Sequence, residues 1–123
     1  MNCKMRILKN KTMISDRVNI ANTYFSKLRG LMFSRKLKDN EALLIINNWE
    51  SMIDSIVHMF FVFYPIAIIW LDSSKKVVDI KTRARPFTPF IKPKKPAKYI
   101  LELPIGKAGL IKIGNKLSFT KDI

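Results

Sequence analysis

The side chains that could carry acid–base or nucleophilic chemistry are concentrated between Ser51 and His58. His58 is the only histidine of the chain, and Asp54 precedes it by four residues. The two could work as general base and orienting carboxylate only if the segment bends, because four residues of a strand span about 13 Å while helical i, i+4 neighbours lie about 6 Å apart. Ser51 and Ser55 do not stand in the pattern of a nucleophile elbow. We therefore predict no catalytic residue and favour a hydrogen-bonded structural role for His58.

Metal and phosphate sites find little support in the sequence. One histidine and one cysteine, Cys3, cannot supply the four nitrogen or sulfur ligands of a structural zinc site, and the carboxylates lack calcium-loop spacing. Gly106, Gly109 and Gly114 match neither phosphate-binding pattern, G-x-G-x-x-G nor G-x-x-x-x-G-K, and are more typical of turns. We predict no metal and no cofactor.

A basic, proline-rich stretch occupies residues 82–98 and contains no acidic residue. Its cations could neutralise phosphates while its two phenylalanine rings stack on unpaired bases. Alternatively, the rings point inward and the cations are simply solvated. The residues that we propose for contact with a nucleic acid or another polyanion are Arg83, Arg85, Phe87, Phe90, Lys92, Lys94, Lys95 and Lys98. This pattern favours a non-enzymatic binding module for an acidic partner.

Composition agrees with one domain and an acidic partner. The 123 residues are 48% hydrophobic, which is enough for one core, and we expect a single domain over residues 1–123 with its core at about 13–119. The formal net charge of +14 favours anionic partners, although a solvated basic surface would give the same value. A single cysteine excludes an intrachain disulfide.

The longest apolar run extends from Ile56 to Leu71 and ends at Asp72. It is shorter than the roughly 20 residues of a spanning helix and contains Pro65, so we interpret it as two buried strands, the second at 66–71. Residues 1–11 lack the apolar core of a secretory signal, and we therefore expect a cytoplasmic protein without a membrane span.

The remaining elements follow from hydrophobic periodicity. Asn22 is a plausible N-cap for a short helix, because Tyr24, Leu28, Leu31 and Met32 have the spacing of one helical face. Gly30 offers a left-handed stop, which would place the last of these residues in a loop. Asp72 to Lys75 resembles a tight turn between two hairpin strands. We expect an edge strand at 5–8, extended chain at 13–20, further strands at 42–46, 76–81, 99–103 and about 113–119, a charged loop at 34–41 and a helical turn at 104–110.

Several separated segments of this chain occur together, in the same order, in one known family. They are residues 21–33 with the Gly-Leu-Met sequence, Ala-Leu-Leu-Ile at 42–45, His-Met-Phe-Phe-Val-Phe-Tyr-Pro-Ile at 58–66, residues 97–106, and Ile-Gly-Asn at 113–115. Over roughly residues 18–119 the chain resembles the DUF192 family, also called UPF0127.

This resemblance implies an α+β fold that is predominantly β, with short helices and a single curled, mostly antiparallel sheet approaching a barrel. It implies no activity. The chain departs from the family at Ala67, where an aspartate is usual, and at residues 60–62, which replace a Lys-Asn-Thr turn. The alternative to a binding module for an acidic partner is a small-ligand or catalytic pocket at a barrel mouth, lined by His58, Trp70 and nearby apolar side chains.

Overall fold

The chain folds into two β-sheets with a few short helical segments. The computed structural model describes residues 5–121, so Cys3 lies outside the described residues. A three-stranded sheet has the order β2-β1-β8 and a five-stranded sheet the order β3-β4-β7-β5-β6. The strands are β1 (Met5–Lys9), β2 (Thr12–Ser15), β3 (Arg17–Ala21), β4 (Glu41–Ser51), β5 (Ile66–Leu71), β6 (Val77–Ala84), β7 (Ala97–Leu103) and β8 (Leu117–Lys121). The helical segments are α1 (Tyr24–Arg29) and two 3₁₀ turns, Ile53–Ser55 and Ile105–Leu110.

The mostly β, mostly antiparallel character is confirmed, but the single sheet is not. Strand pairing among residues 5–121 is divided between two sheets and does not close a barrel. The extended chain expected at 13–20 changes sheet at the exposed Asp16, so β2 and β3 belong to different sheets. Strands β3 and β4 are parallel and are connected through α1. Between β6 and β8 there is one isolated bridge, from Lys76 to Lys116.

Two apolar cores lie on opposite faces of the five-stranded sheet. The first fills the space between the two sheets and contains Ile7, Leu44 and Ala67. The second lies on the other face and is covered by irregular chain, residues 53–65 and 85–96, which we call the loop layer. All six residues of β5 are buried, because each of its faces packs against one of these cores.

The first half of the central apolar run is not a strand. Residues 56–65 form irregular chain whose ladder pairing is limited to one bridge, between Val57 and Ile91. Its inward side chains, among them Met59 and Tyr64, cover the second core. This segment is apolar because it covers the second core. The prediction that the run from Ile56 to Leu71 forms two strands was therefore wrong for its first half. Strand β5, directly after Pro65, is confirmed.

Helix α1 begins and packs differently from our prediction. Its N-cap is Thr23, whose hydroxyl accepts from the Ser26 amide while the Ser26 hydroxyl accepts from the Thr23 amide in a capping box. No residue of α1 is buried, and Tyr24 is 75% and Leu28 53% exposed. Of the predicted apolar face, Leu31, which follows the helix, is buried in the second core. A positive φ of 49° at Gly30 confirms the predicted end of the helix.

Other boundaries differ in smaller ways. Strand β1 is central, not an edge, because it pairs with both β2 and β8. Strand β4 continues past Asn47 and Asn48 to Ser51. The hairpin from β5 to β6 is confirmed, and the Asp72 carboxylate accepts hydrogen bonds from Ser74 and Lys76 in its turn. Within residues 5–121, no helix is both long enough and apolar enough to cross a bilayer.

Candidate functional site: a basic groove and a buried carboxyl

A groove of about 570 Å³ runs between strand β6 and the returning loop layer. Strand β6 is an edge strand of its sheet, and the chain after it crosses over β5 before it enters β7. Trp70 lies at the base of the groove, and the exposed ring of Phe90 forms part of its wall. Five cationic side chains line the groove: Lys81, Arg83, Arg85, Lys92 and Lys94.

These five cations have no partner within the described part of the chain. None of them forms a hydrogen bond or an ion pair through its side chain with another of residues 5–121. The one carboxylate that lines the groove, Asp79, is buried and accepts hydrogen bonds from the backbone amides of Ile80 and Lys94, at 2.8 and 2.9 Å. Asp79 therefore fastens the loop layer to β6 and forms no ion pair with the cations around it.

The structure brings together most of the predicted polyanion-binding residues and separates the others. Arg83, Arg85, Phe90, Lys92 and Lys94 line the groove. The remaining three do not: Phe87 packs against other rings, Lys95 is exposed outside the groove, and the Lys98 ammonium lies 5.9 Å from the ring centroid of Tyr99. Sequence reasoning missed Lys81, which the alternation of β6 with Arg83 could have indicated.

Phe87 belongs to an exposed aromatic cluster, which we define as Phe33, Phe61, Phe63 and Phe87. The rings of Phe33 and Phe61 stack with centroids 4.8 Å apart, and the Phe87 ring makes edge contacts with Phe61 and Phe63 at 5.8 and 5.2 Å. Three of the four, all except Phe63, have a φ between 56° and 63°. Such left-handed backbone is unfavourable for a bulky residue, so the cluster contains local backbone strain.

His58 and its neighbours do not form a catalytic constellation. The His58 Nδ1 atom accepts from the Phe60 amide at 3.2 Å, which leaves Nε2 to donate to the Leu28 carbonyl at 2.9 Å. Ser55 is buried, and its hydroxyl donates to backbone carbonyl groups. The Ser51 hydroxyl accepts from the Asp54 amide. Among the described residues, no three His, Cys, Asp or Glu side chains converge as a metal site would require.

The two pocket candidates, His58 and Trp70, line different depressions. Trp70 donates its indole N–H to the Ser55 carbonyl at 2.8 Å and lies under the basic groove. His58 lines a separate narrow cavity of about 50 Å³ between α1 and the loop layer. His58 and Trp70 therefore do not share a pocket as predicted, because Trp70 lies under the basic groove, whereas His58 belongs to the part of the loop layer next to α1.

The narrow cavity contains a carboxyl group that sequence reasoning missed. Glu102, on β7, is 3% exposed and lies at the floor, while Lys27, Arg29, Asp54 and His58 are among the other lining residues. Burial raises the pKa of Glu102 to about 8. The Glu102 side chain has no hydrogen-bond partner among residues 5–121. A glutamate within the apolar sequence Tyr-Ile-Leu-Glu-Leu was the available signal.

An apolar cleft of about 510 Å³ adjoins this cavity and shares Ile56 and His58 with it. Its other lining residues are Leu28, Met32, Phe60, Phe61, Pro89 and Phe90. Phe90 also lines the basic groove, so its ring separates the groove from the apolar cleft.

Comparison with known proteins places the chain in a family. The DUF192 family model, described as "Uncharacterized ACR", matches residues 6–119. The chain belongs to the DUF192 family. A UPF0127 protein from Thermococcus sibiricus is 46% identical over 103 residues, which are 83% of this chain and 64% of that protein. Another, from Pyrococcus furiosus, is 35% identical over 108 residues, 86% of this chain and 89% of that protein.

The DUF192 chain thus spans slightly less than two thirds of the Thermococcus sibiricus relative. Its fold resembles a solved structure of unknown function from Novosphingobium aromaticivorans, with a TM-score of 0.82 and 25% identity over 93% of this chain and 82% of that one. A second structure, from Sinorhizobium meliloti, has a TM-score of 0.83 at 18% identity, with 97% and 94% of the two chains covered. The latter shows likeness of fold alone.

Proposed function

We propose that this DUF192 protein binds polyanions in its basic groove, and that single-stranded nucleic acid is the polyanion that fits best. The observation that carries the proposal is the convergence of five unpartnered cations on one concave surface beside an exposed aromatic ring. Phosphate neutralisation by such cations supplies most of the affinity of non-specific nucleic-acid binding. A cytoplasmic location, expected from the sequence, would give the groove access to such a ligand.

The aromatic ring favours single strands over duplexes. Phe90 is 78% exposed at the wall of the groove, where an unpaired base could stack on it. Bases in a duplex are already stacked on each other and do not present a free face. Ring stacking and cations in one groove are the combination used by single-strand binders.

Cations on an edge strand can also serve a simpler purpose, since they prevent the strand from pairing with another molecule. That purpose requires charges on β6 alone, where Lys81 and Arg83 lie. Arg85, Lys92 and Lys94 lie outside β6, in the loop layer, and line the same groove. The simpler purpose does not account for this second set.

The first test is the salt dependence of binding to a labelled oligothymidylate, measured by fluorescence anisotropy. If five cations contact phosphates, the plot of log affinity against log salt should have a slope of about −3.5 for a single strand, compared with about −4.5 for a duplex. Single-strand binding should also be tighter than duplex binding. Absence of binding at low salt, or binding independent of salt, would contradict the proposal.

Matched variants locate the site. The groove variant replaces Lys81, Arg83 and Lys92 by glutamine and so removes three charges from the groove. The control variant replaces Lys11, Lys112 and Lys116 by glutamine and so removes three exposed charges elsewhere. The groove variant should reduce the magnitude of the slope by about 2, because each lost phosphate contact contributes about 0.7. The control variant should keep the slope. Equal slopes for the two variants would show that net charge, and not the groove, binds the strand.

The aromatic contribution is tested separately. Phe90→Ala should weaken binding of oligothymidylate by about 1–3 kcal/mol, the usual loss for one base–aromatic stack, and should leave binding of a base-free polyphosphate unchanged. Phe25→Ala is the matched control, because Phe25 is 79% exposed and does not line the groove. An equal loss in both variants would contradict stacking on Phe90.

A further inference from the structure

The Glu102 cavity lies apart from the basic groove and has its own chemistry. Leu101 and Leu103 face the first core, so the side chain of Glu102 between them faces the second core. Its carboxyl group lies at the floor of the 50 Å³ cavity. We propose that this cavity holds the carboxylate head of a small monocarboxylic acid whose hydrocarbon body lies in the adjoining apolar cleft.

The hydrogen-bonding state of Glu102 calls for an acceptor in the ligand. Because its pKa is raised to about 8 by burial, the group is mostly a neutral acid at pH 7 and carries one O–H donor. No residue of 5–121 accepts from that donor, and the carboxyl group opens onto the cavity, where a ligand could reach it. A ligand oxygen at the floor of the cavity would accept this hydrogen bond.

The charges around the cavity favour an anionic ligand. Lys27 and Arg29 line it without an ion pair to any other described residue, while Asp54 is the opposing charge. With Glu102 neutral, these groups leave a net positive charge at the cavity. The ring nitrogens of His58 are both engaged by the backbone, so His58 does not compete for the ligand.

Size and surroundings define the rest of the ligand. One water needs about 10–15 Å³ of cavity volume, so 50 Å³ accommodates a group of about three heavy atoms, such as a carboxylate. The apolar cleft next to it has room for an aliphatic chain or an aromatic ring, between Leu28, Phe60 and Phe90. Ile56 and His58, which line both spaces, mark where the two parts of the ligand would join.

The test uses three probes with the same hydrocarbon chain, which are octanoate, octylammonium and octanol, titrated into the full chain and followed by amide chemical shifts. Octanoate should bind more tightly than either of the others at pH 6.5. Its affinity should fall roughly tenfold by pH 9, because only protein with Glu102 protonated can donate the hydrogen bond. The other titratable groups that face the cavity are Lys27, Arg29, Asp54 and His58. Tyr64 also interacts electrostatically with Glu102. A preference for octylammonium, equal binding of octanol, or no binding of octanoate would overturn the proposal.

Variants separate the head site from the cleft. Glu102→Gln keeps an N–H donor but cannot ionise, so it should bind octanoate with little change between pH 6.5 and 9. Glu102→Leu should no longer bind octanoate, and a dispersed amide spectrum should show that the variant is folded. If that variant does not fold, the pH dependence of octanoate binding by Glu102→Gln is the deciding measurement. Ile113→Ala, at an exposed apolar residue outside the cleft, should match the wild type. A wild-type pH profile in Glu102→Gln would overturn the role of Glu102. The groove variant of Lys81, Arg83 and Lys92 should bind octanoate normally, which keeps this test independent of polyanion binding.

Discussion

Glu102 and Asp79 both carry carboxyl groups buried in strands of one sheet, yet the surroundings of the two groups differ. Asp79 accepts two hydrogen bonds from backbone amides, which stabilise it and anchor a loop. Glu102 receives none from the described residues and lies on a small cavity. Asp79 therefore has a structural role, because its hydrogen bonds position a neighbouring segment. The carboxyl group of Glu102 keeps its hydrogen-bonding capacity free, which suits a binding role.

The pKa of Glu102 has a direct consequence for stability. It is raised from the ordinary 4.5 to about 8 in the folded chain, so its proton-linked contribution is complete below pH 4.5 and is lost as the pH rises towards 8. Relative to Glu102→Gln, the wild type should lose at most about 1.4 kcal/mol of unfolding free energy per pH unit in this window. Urea unfolding of both proteins at pH 5, 6.5 and 8 checks this. Parallel profiles for the two proteins would contradict it.

Individual residues show why part of the site could be predicted and part could not. Arg83, Arg85, Lys92 and Lys94 were found because charge density along the chain is visible without a fold. Glu102 was missed because its neighbours along the chain do not reveal that α1 and the loop layer leave a gap above it. Contacts between segments that are distant in sequence create that gap, and no local pattern encodes them.

Among the elements, the loop-layer segment around Lys94 is anchored to β6 by Asp79. Asp79→Ala should leave the Lys94 amide without its acceptor and should cost about 1–3 kcal/mol of stability. The variant should also weaken oligonucleotide binding even though it removes a negative charge from the groove, because the wall that carries Lys92 and Lys94 loosens. Hydrogen exchange at the Lys94 amide should accelerate.

Tighter oligonucleotide binding by Asp79→Ala, with unchanged protection of the Lys94 amide, would show that charge matters more here than anchoring. Asp79→Asn is the control for charge. It removes the same charge and retains an oxygen that can accept from Lys94, so its hydrogen exchange should stay closer to the wild type.

The sequence predicted the elements with strong periodicity better than those that serve as covers. The β5–β6 hairpin and β7 follow from alternation and from the turn at Asp72. Residues 56–65 have strand-like composition, but they lie across the second core and do not pair in the ladder. Apolar content reports burial, and burial alone does not distinguish a strand from a covering loop.

For the whole molecule, the net charge should mainly affect the association rate constant, and the groove contacts should mainly affect the dissociation rate constant. The charge of +14 produces a long-range attraction that speeds the encounter with any polyanion. The groove and control variants each lower the charge from +14 to +11, so stopped-flow association with oligothymidylate should slow to a similar extent in both. Only the groove variant should dissociate faster, because it alone loses contacts of the bound state. Equal dissociation rates would contradict this division.

The pairing of β1 with β8 joins residues 5–9 to residues 117–121, which lie more than a hundred positions apart along the chain. Closing so long a loop carries a large entropic cost, and strand pairs of this kind tend to make folding slow. During synthesis, the three-stranded sheet can form only after the ribosome has released Leu117–Lys121. Until then, the edge of β1 that pairs with β8 and the part of the first core that Leu117 fills are open to solvent or to a chaperone.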